Sequence, residues 1–290
     1  MVRYKNILIT GSNGQLGNEL KILSGKLENC NLLFTDIDEL DITNAYDIDN
    51  FFSTNSIDLV INCAAYTAVD KAETEADIAK EININAIKNL IKCIKKYNSK
   101  LIHISTDYVF NGKTHTPYTE TDTTNPNSVY GQTKSDGEKL ILNSGIAHII
   151  IRTSWLYSGF GNNFVKTIIK YAKEKNELNV VFDQIGTPTF AGDLAEAIIR
   201  IIIETNNNQS KFVSGIYHYS NEGVCSWYDF AYEIINITKL NCHINPIESK
   251  DYPTIAKRPP YSVLNKNKIK SIFNITIPHW RESLVKMLKD

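Results

Sequence analysis

The sequence predicts an α/β fold, in which a doubly wound parallel sheet is accompanied by a smaller C-terminal lobe. Short β-branched runs alternate with longer helical stretches in the first half of the chain, and a glycine-rich turn directly follows the first run. Such alternation is typical of βαβ units, whose strands pair in parallel. We predict strands at residues 5–10, 32–36, 59–62, 101–105 and 148–152, and helices at about 72–96, 163–175, 192–204 and 226–236.

The regular alternation ends after Arg152, where longer polar loops join the predicted helices. This change predicts a second, less regular part of the chain. We expect the first domain to span residues 1–152 and to include about 178–215. The second lobe then comprises about 153–177 and 216–290.

The composition argues against several function classes. The 31 Lys and Arg residues nearly balance 32 Asp and Glu residues, so the net charge of −1 gives no reason to expect a nucleic-acid partner. The sequence lacks the run of about 18 apolar residues that a membrane span needs, and its N-terminal apolar run is too short for a signal peptide. We therefore expect a soluble protein without a membrane partner.

The five cysteines are scattered without paired spacing, which favours neither a zinc site nor a disulfide framework. Reduced thiols and a cytoplasmic location are the expectation. The sequence has no cluster of carboxylates and histidines that requires a metal. It leaves the oligomeric state open, with a homodimer among the alternatives.

The glycine-rich turn contains Gly11, Gly14 and Gly17, with Gln15 and Leu16 between the last two. A helix that begins in such a turn offers free N–H groups and a positive dipole end, and glycine lets the backbone approach a pyrophosphate. The position between a strand and a helix predicts a dinucleotide-binding turn of Rossmann type. The alternative is that the glycines only form a tight connection.

Two further positions are candidates for dinucleotide contacts. Asp36 ends the second predicted strand, 19 residues after Gly17, close to the spacing of about 20 expected for a ribose-binding acid. Alternatively, it only caps a turn in its acidic stretch. The third predicted strand ends in small residues, including Ala64 and Ala65, which leave room for a cofactor unless they merely pack under a helix.

The candidate catalytic residues are Tyr130, Lys134 and Thr106. Tyr130 and Lys134 are four residues apart and share one face of a helix. A nearby ammonium favours the phenolate, so we expect Lys134 to lower the pKa of Tyr130 and make it a competent proton donor and acceptor. Thr106 follows the fourth strand, where its hydroxyl can bond a substrate carbonyl, although a cap or turn is the simpler role for a lone threonine.

Further runs spread over nearly the whole chain strengthen this interpretation; they are residues 62–73, 105–110, 152–157, 161–164, 183–189 and 258–262 with Leu264. Together with the turn and the Tyr/Lys pair, they resemble the dTDP-4-dehydrorhamnose reductase family of extended short-chain dehydrogenase/reductases. The resemblance implies NADH- or NADPH-dependent reduction of the 4-keto group of dTDP-4-dehydro-L-rhamnose. The product, dTDP-L-rhamnose, is a nucleotide sugar for cell-surface polysaccharide.

The same resemblance implies roles for individual residues. Tyr130 would be the general acid, Lys134 its pKa partner and ribose anchor, and Thr106 the donor on the carbonyl side. Asp107 and Trp155 would line the sugar pocket. A tryptophan offers a sugar a flat apolar wall and one donor, whereas the alternative is an interdomain core residue.

Other assignments rest mainly on the resemblance. Asp41 and Ile42 would lie on the adenine side of the cofactor, and Tyr66 and Thr67 would contact it near the third strand. The tyrosine at position 66 is a departure, since histidine is also expected there, but either ring can lie against a cofactor. Arg258 would bind the diphosphate of the nucleotide, unless it is an ordinary surface arginine.

Two alternative functions remain open at this point. A sugar-nucleotide epimerase or dehydratase would share the cofactor fold and the Tyr/Lys pair; the run from Thr106 to Tyr108 favours the reductase. A non-catalytic binding subunit, similar to the β subunit of methionine adenosyltransferase, would not need a complete catalytic set. Because Thr106, Tyr130 and Lys134 are all present, the enzyme is preferred.

Overall fold

The computed structural model describes residues 4–289. Its strands are β1 (Asn6–Thr10), β2 (Asn31–Thr35), β3 (Leu59–Asn62), β4 (Lys100–Thr106), β5 (His148–Thr153), β6 (Leu156–Tyr157), β7 (Glu177–Val181), β8 (Ile185–Gly186), β9 (Thr189–Phe190), β10 (Gly215–His218), β11 (Cys225–Ser226) and β12 (His243–Ile247). Its α-helices are α1 (Gln15–Ile22), α2 (Ala45–Asn55), α3 (Val69–Ala72), α4 (Ala76–Lys80), α5 (Ala86–Tyr97), α6 (Val129–Leu142), α7 (Phe164–Glu174), α8 (Ala191–Asn207), α9 (Trp227–Thr238), α10 (Asn267–Phe273) and α11 (Trp280–Lys289).

The main sheet has six parallel strands in the order β10-β5-β4-β3-β1-β2. The chain leaves β1 toward β2 on one side and then returns to β3 on the other. In open parallel sheets, ligands bind beyond the carboxyl ends of the strands at such a reversal. The predicted α/β fold with a doubly wound parallel sheet is confirmed.

Side chains of the sheet alternate between two hydrophobic cores, as the pleat requires. In β1, Ile7 and Ile9 belong to the core that also contains residues of α1 and α8, whereas Leu8 belongs to the core under α2, α5 and α6. Burial on both faces explains the nearly continuous β-branched runs in these strands.

The five predicted strands agree with β1 to β5 within one residue at each end. The predicted helices at about 163–175, 192–204 and 226–236 correspond to α7, α8 and α9. The long helix predicted at 72–96 is interrupted: a π-helical turn at Glu81–Asn85 joins α4 to α5. The sixth strand, β10, was not predicted.

The second lobe is built from α7, α9 and α11 with a small sheet in which β7 pairs in parallel with β12. Its core includes Tyr157, Phe230 and Trp280. Because β7 pairs outside the main sheet, we propose that residues 177–181 belong to this lobe, although the sequence suggested the first domain for them. By the same criterion, β10 belongs to the first domain. No helix within the described residues 4–289 is long and apolar enough to cross a membrane.

Candidate active site

One cavity of about 870 Å³ lies along the carboxyl edge of the main sheet. It extends from the glycine-rich turn to the start of the second lobe, and its volume is at the upper end of the usual range for ligand pockets. Most of the predicted site residues line it: Gly11, Gly14, Gln15, Leu16, Gly17, Asp36, Asp41, Ile42, Ala64, Ala65, Thr67, Thr106, Asp107, Tyr130, Lys134 and Trp155. Tyr66 and Arg258 are not among the lining residues.

The three glycines of the turn meet different constraints. Gly11 has a left-handed φ of 67°, and a Cβ there would lie 2.6 Å from the Ala64 amide nitrogen. A Cβ on Gly17 would lie 2.5 Å from Ser12 Cα, so this glycine lets α1 pack against the turn. Gly14 precedes α1 with an ordinary φ of −73° and no side-chain cap. Its missing side chain therefore leaves the helix N-terminus open to the cavity.

Asp36 connects the end of β2 to the glycine-rich turn. Its carboxylate accepts hydrogen bonds from the amide of Asn13, at 2.8 Å, and from the amide of Ile37, at 2.9 Å. The ammonium of Lys21 donates to Asn13 Oδ1 at 2.9 Å. Asn13 therefore bonds Asp36 through its backbone amide and Lys21 through its side chain. Asp36 thus lines the cavity and also braces the turn.

The segment after β3 is held by the π-helical turn between α4 and α5. Asn83 lies in that turn; its Oδ1 accepts from the Tyr66 amide at 3.0 Å, and its Nδ2 donates to Thr133 Oγ1 at 3.0 Å. A single side chain therefore fixes both the cofactor-side segment and helix α6. The Tyr66 phenol donates to the carboxylate of Glu75, and this side chain packs against the cluster that contains Tyr130 rather than lining the cavity.

Tyr130 lies in the first turn of α6, whose N-cap is Ser128. Its side chain packs against Tyr108 with the ring centroids 5.5 Å apart. Burial raises the pKa of Tyr130 to about 12, whereas a hydrogen bond with Thr106 acts in the opposite direction. The expectation that Lys134 lowers the pKa of Tyr130 is therefore wrong for this structure, because burial dominates and Lys134 is not among the groups that shift this pKa.

Lys134 is buried one turn further along α6. Its ammonium donates to the backbone carbonyl of Ile104 at 2.7 Å, a residue of β4. Burial lowers the pKa of Lys134 to about 8, against the effect of the Glu138 carboxylate one further turn along the helix. Burial thus favours the uncharged form of both residues, the phenol of Tyr130 and the amine of Lys134.

Thr106 and Asp107 form a sharp turn at the end of β4. Thr106 Oγ1 donates to Asp107 Oδ1 at 3.0 Å and accepts from the Tyr108 amide at 3.2 Å. Asp107 is 2% exposed, and this burial raises its pKa to about 7. Both side chains line the cavity where β4 ends and the backbone turns into a short 3-10 helix, Asp107–Val109, whose N-cap is Thr106.

Trp155 adopts a left-handed backbone conformation, with φ 48°. Non-glycine residues rarely do so, and such strain is concentrated at functional sites. Its ring stacks on that of Trp227, with centroids 3.5 Å apart and planes 8° from parallel. A Cβ on Gly186 would lie 2.6 Å from the Trp155 ring, so the glycine makes room for the indole. Trp155 joins the cavity to the core of the second lobe.

Arg258 binds a carboxylate within the chain. Its guanidinium makes two hydrogen bonds with Asp70, at 2.7 and 3.1 Å. The same carboxylate accepts from the amide of Ala256 at 3.0 Å, which fastens the loop before Arg258 to α3. The role of Arg258 toward a diphosphate stays a prediction; the pair with Asp70 leaves its Nε–H without a bond to Asp70.

Sequence reasoning missed three residues that shape the site. Asn83 has no signal in the sequence, because an asparagine in a helical run predicts nothing about a π-helical turn. Trp227 could have been noticed as the first residue after Ser226, which forms a capping box with Asp229 at the start of α9. His103 lies inside β4, and a single histidine within a buried strand is normally interpreted as a core residue. Residues 4–289 contain no group of three or more potential metal ligands.

Comparison with known proteins identifies the family. The model of the RmlD substrate binding domain matches residues 5–290. The chain belongs to this family. It is 41% identical to a dTDP-4-dehydrorhamnose reductase of Aggregatibacter actinomycetemcomitans, with 96% of each chain covered.

Solved structures agree with this membership. The crystal structure of a dTDP-4-dehydrorhamnose reductase from Clostridium acetobutylicum superposes with a TM-score of 0.91 at 42% identity, covering 98% of each chain. The enzyme from Bacillus anthracis, solved in complex with NADP, gives a TM-score of 0.91 at 36% identity and 99% coverage of each chain. A dTDP-glucose 4,6-dehydratase with NAD, at 18% identity, shares the fold alone.

Proposed function

We propose that this protein is a dTDP-4-dehydrorhamnose reductase, which reduces the 4-keto group of dTDP-4-dehydro-L-rhamnose to give dTDP-L-rhamnose. The observation that supports this most strongly is the meeting of Thr106, Tyr130 and Lys134 in one cavity with the glycine-rich turn. Family membership over the full described chain supports the same substrate class.

The residues of the cavity fit a nicotinamide dinucleotide. The turn at Gly11 and Gly17 leaves no room for side chains, while Gly14 leaves the N-terminus of α1 uncovered. Near the other end, Ser105 Oγ and Thr153 Oγ1 are buried without a hydrogen-bond partner among the described residues. Buried hydroxyls are normally satisfied, so both are suited to a polar ligand. NADPH and NADH are both proposed as cofactors.

When bound, the reduced nicotinamide supplies the hydride for the carbonyl carbon. Tyr130 donates its phenolic proton to the carbonyl oxygen. Its high pKa keeps the phenol protonated at neutral pH, so the donor form is always available. The Thr106 hydroxyl, which donates to Asp107 Oδ1 in this structure, would turn to donate to the same oxygen, where it orients the carbonyl and stabilises its developing negative charge.

The sugar is proposed to bind between β4 and the second lobe. Asp107 can accept a hydrogen bond from a sugar hydroxyl, and Trp155 presents a flat apolar wall that is held in place by Trp227. The stacked pair excludes water from one side of the site. This exclusion strengthens the hydrogen bonds that Thr106 and Tyr130 make with the reacting carbonyl.

The direct test is an absorbance assay at the nicotinamide band, with the 4-keto-rhamnose nucleotide and each reduced cofactor. We expect oxidation of the reduced cofactor only when the keto sugar is present. Absence of oxidation with either cofactor, in protein that is folded and binds the cofactor, would contradict the proposed function.

The fate of the cofactor distinguishes an epimerase or dehydratase from the proposed reductase. Those enzymes regenerate their cofactor within each cycle, whereas a reductase consumes one reduced cofactor for each product. Turnover of a sugar nucleotide without added reductant, by protein that keeps its cofactor through purification, would favour the alternative. Absence of any oxidation alongside a tight protein partner would instead revive the non-catalytic binding subunit.

A further inference from the structure

A chain of buried polar side chains crosses three strands of the main sheet and ends at Lys134. Thr10 of β1 donates through Oγ1 to Asn62 Oδ1 of β3 at 2.6 Å. The amide nitrogen of Asn62 lies 3.0 Å from Nδ1 of His103 in β4, and Nε2 of the same ring lies 3.5 Å from the Lys134 ammonium. All four residues are at most 3% exposed. None of the roles proposed above for the reaction uses Asn62 or His103.

The donors and acceptors of this chain have a direction. In the structure the Asn62 oxygen faces Thr10 and accepts from its hydroxyl, and the Asn62 amide nitrogen faces the ring. That nitrogen can only donate, so Nδ1 of His103 must carry its lone pair. Burial, and secondarily the Lys134 charge, hold the pKa of His103 well below its ordinary value, and the ring is neutral. Its single N–H is then on Nε2.

An Nε2–H group that faces Lys134 favours the uncharged amine. An amine can accept this hydrogen bond, whereas an ammonium has only donors to present. The Ile104 carbonyl accepts from Lys134 in either protonation state, and the other titratable groups that act on Lys134 are Glu138 on its own helix and the thiol of Cys63 after β3. Glu138 favours the ammonium, but its carboxylate is shared with the guanidinium of Arg152 at 2.6 Å.

We propose that Thr10 and Asn62 hold His103 as its Nε2–H tautomer, and that His103 is a positioning residue that eases the loss of a proton from Lys134. This inference rests on the proposed function. After Tyr130 has given its proton to the substrate, the Lys134 ammonium supplies the proton that restores the phenol, and water restores the ammonium. The chain from Thr10 thereby sets how readily Lys134 passes that proton on.

The tautomer is tested directly by ¹⁵N NMR of the histidine rings in protein without substrate. The signal of His103, one of six histidines, is identified by its loss in His103→Gln. We expect the shifts of an Nε2–H ring in the wild type and of an Nδ1–H ring in Asn62→Asp, because a carboxylate can only accept from Nδ1. An Nδ1–H ring in the wild type would overturn the proposal, whether or not the protein proves to be a reductase.

The consequence for the reaction is tested by the pH dependence of kcat at saturating cofactor. In Asn62→Asp and Thr10→Val, Nε2 is freed to accept from the ammonium. The pH at which kcat declines on the alkaline side of its pH profile should therefore rise by roughly one unit, which corresponds to the energy of one hydrogen bond to a charged group. Thr10→Ser keeps the hydroxyl and should retain the wild-type pH profile.

Thr205→Val is the matched control for Thr10→Val. Thr205 is 1% exposed in α8, and its hydroxyl bonds the backbone carbonyl of Ile201, away from the cavity. If the hydrogen-bonded side chains from Thr10 to Lys134 are only part of the polar core, both valine variants lower Tm and neither changes the pH at which kcat declines on the alkaline side. That result would overturn the proposal. Thr10→Val, with its small change of shape, decides the question even if Asn62→Asp fails to fold.

Discussion

The two ends of the cavity are built on different principles. At the glycine-rich turn, backbone geometry determines the site: Gly11 and Gly17 have no space for a side chain, and Asp36 braces the loop through the Asn13 amide. At the catalytic end, buried side chains determine it, and burial raises the pKa of Tyr130 while lowering that of Lys134. The first end is therefore sensitive to shape, and the second to charge and protonation.

Tyr130→Phe should cause the largest change at the catalytic end. Only the hydroxyl is removed, so the fold and the affinity for the cofactor should be retained while kcat falls by about 10²-fold or more. Turnover is measured by cofactor oxidation and binding by fluorescence titration. Near wild-type turnover would remove Tyr130 from the mechanism.

Lys134→Met should reduce both kcat, by roughly tenfold or more, and the affinity for the cofactor, because the ammonium is proposed to serve both. In the wild type, kcat should fall as pH rises through about 8, since the ammonium form of Lys134 is lost there. The variant should lose this alkaline limb. A change confined to Tm, with normal kinetics, would indicate that Lys134 is only structural.

Gly11→Ala and Gly14→Ala test the shape-sensitive end as a matched pair. At Gly11 the added Cβ meets Ala64 in a left-handed conformation, and we expect a loss of about 1–3 kcal/mol in stability together with weaker cofactor binding. At Gly14, where φ is an ordinary −73°, the added Cβ makes one tight contact of 3.2 Å with the Gly11 carbonyl oxygen, so Tm should fall less than in Gly11→Ala while cofactor affinity still falls. Equal losses of Tm in the two variants would contradict this distinction.

Asp36→Ala should produce the smallest of these changes, a shift in cofactor preference. A carboxylate at the ribose favours the 2′-hydroxyl of NADH over the 2′-phosphate of NADPH, whereas Lys21, which bonds the side chain of the neighbouring Asn13, should offer that phosphate a cation. We expect the wild type to use NADH competently and NADPH at least weakly.

The ratio of kcat/KM for NADPH over NADH should rise by roughly tenfold in Asp36→Ala, equivalent to about 1.4 kcal/mol. It should fall in Lys21→Met and stay constant in Asp38→Ala, whose side chain is exposed. A wild type that ignores NADH, or an unchanged ratio in Asp36→Ala, would show that Asp36 does not recognise the ribose.

The contrast between the two ends also explains what the sequence could predict. Glycine spacing and β-branched runs report backbone geometry directly, so β1 to β5 and the turn were predicted closely. The strand β10 was missed because its pairing with β5 joins residues about 65 apart. The pairing of β7 with β12 is equally distant in the chain, and it is the reason we propose that residues 177–181 belong to the second lobe.

Side-chain environments were harder to predict. A Tyr/Lys spacing suggests a lowered pKa for Tyr130, but the sequence does not reveal how deeply both groups are buried, and burial dominates. Arg258 was predicted to bind a diphosphate, but the residues around it in the sequence do not indicate that its partner in the structure is Asp70. Distant partners of this kind emerge only when the chain is folded.

If both ends of the cavity serve one reduction, the hydride of the bound cofactor must reach the sugar, and isotope transfer measures this. The protein is incubated with the 4-keto-rhamnose nucleotide and nicotinamide cofactor deuterated at the transferable position, and the product is analysed by NMR and mass spectrometry. We expect one deuterium at C4 of the rhamnose for each cofactor oxidised. A product without deuterium at C4, or product formed without net oxidation of the cofactor, would contradict it.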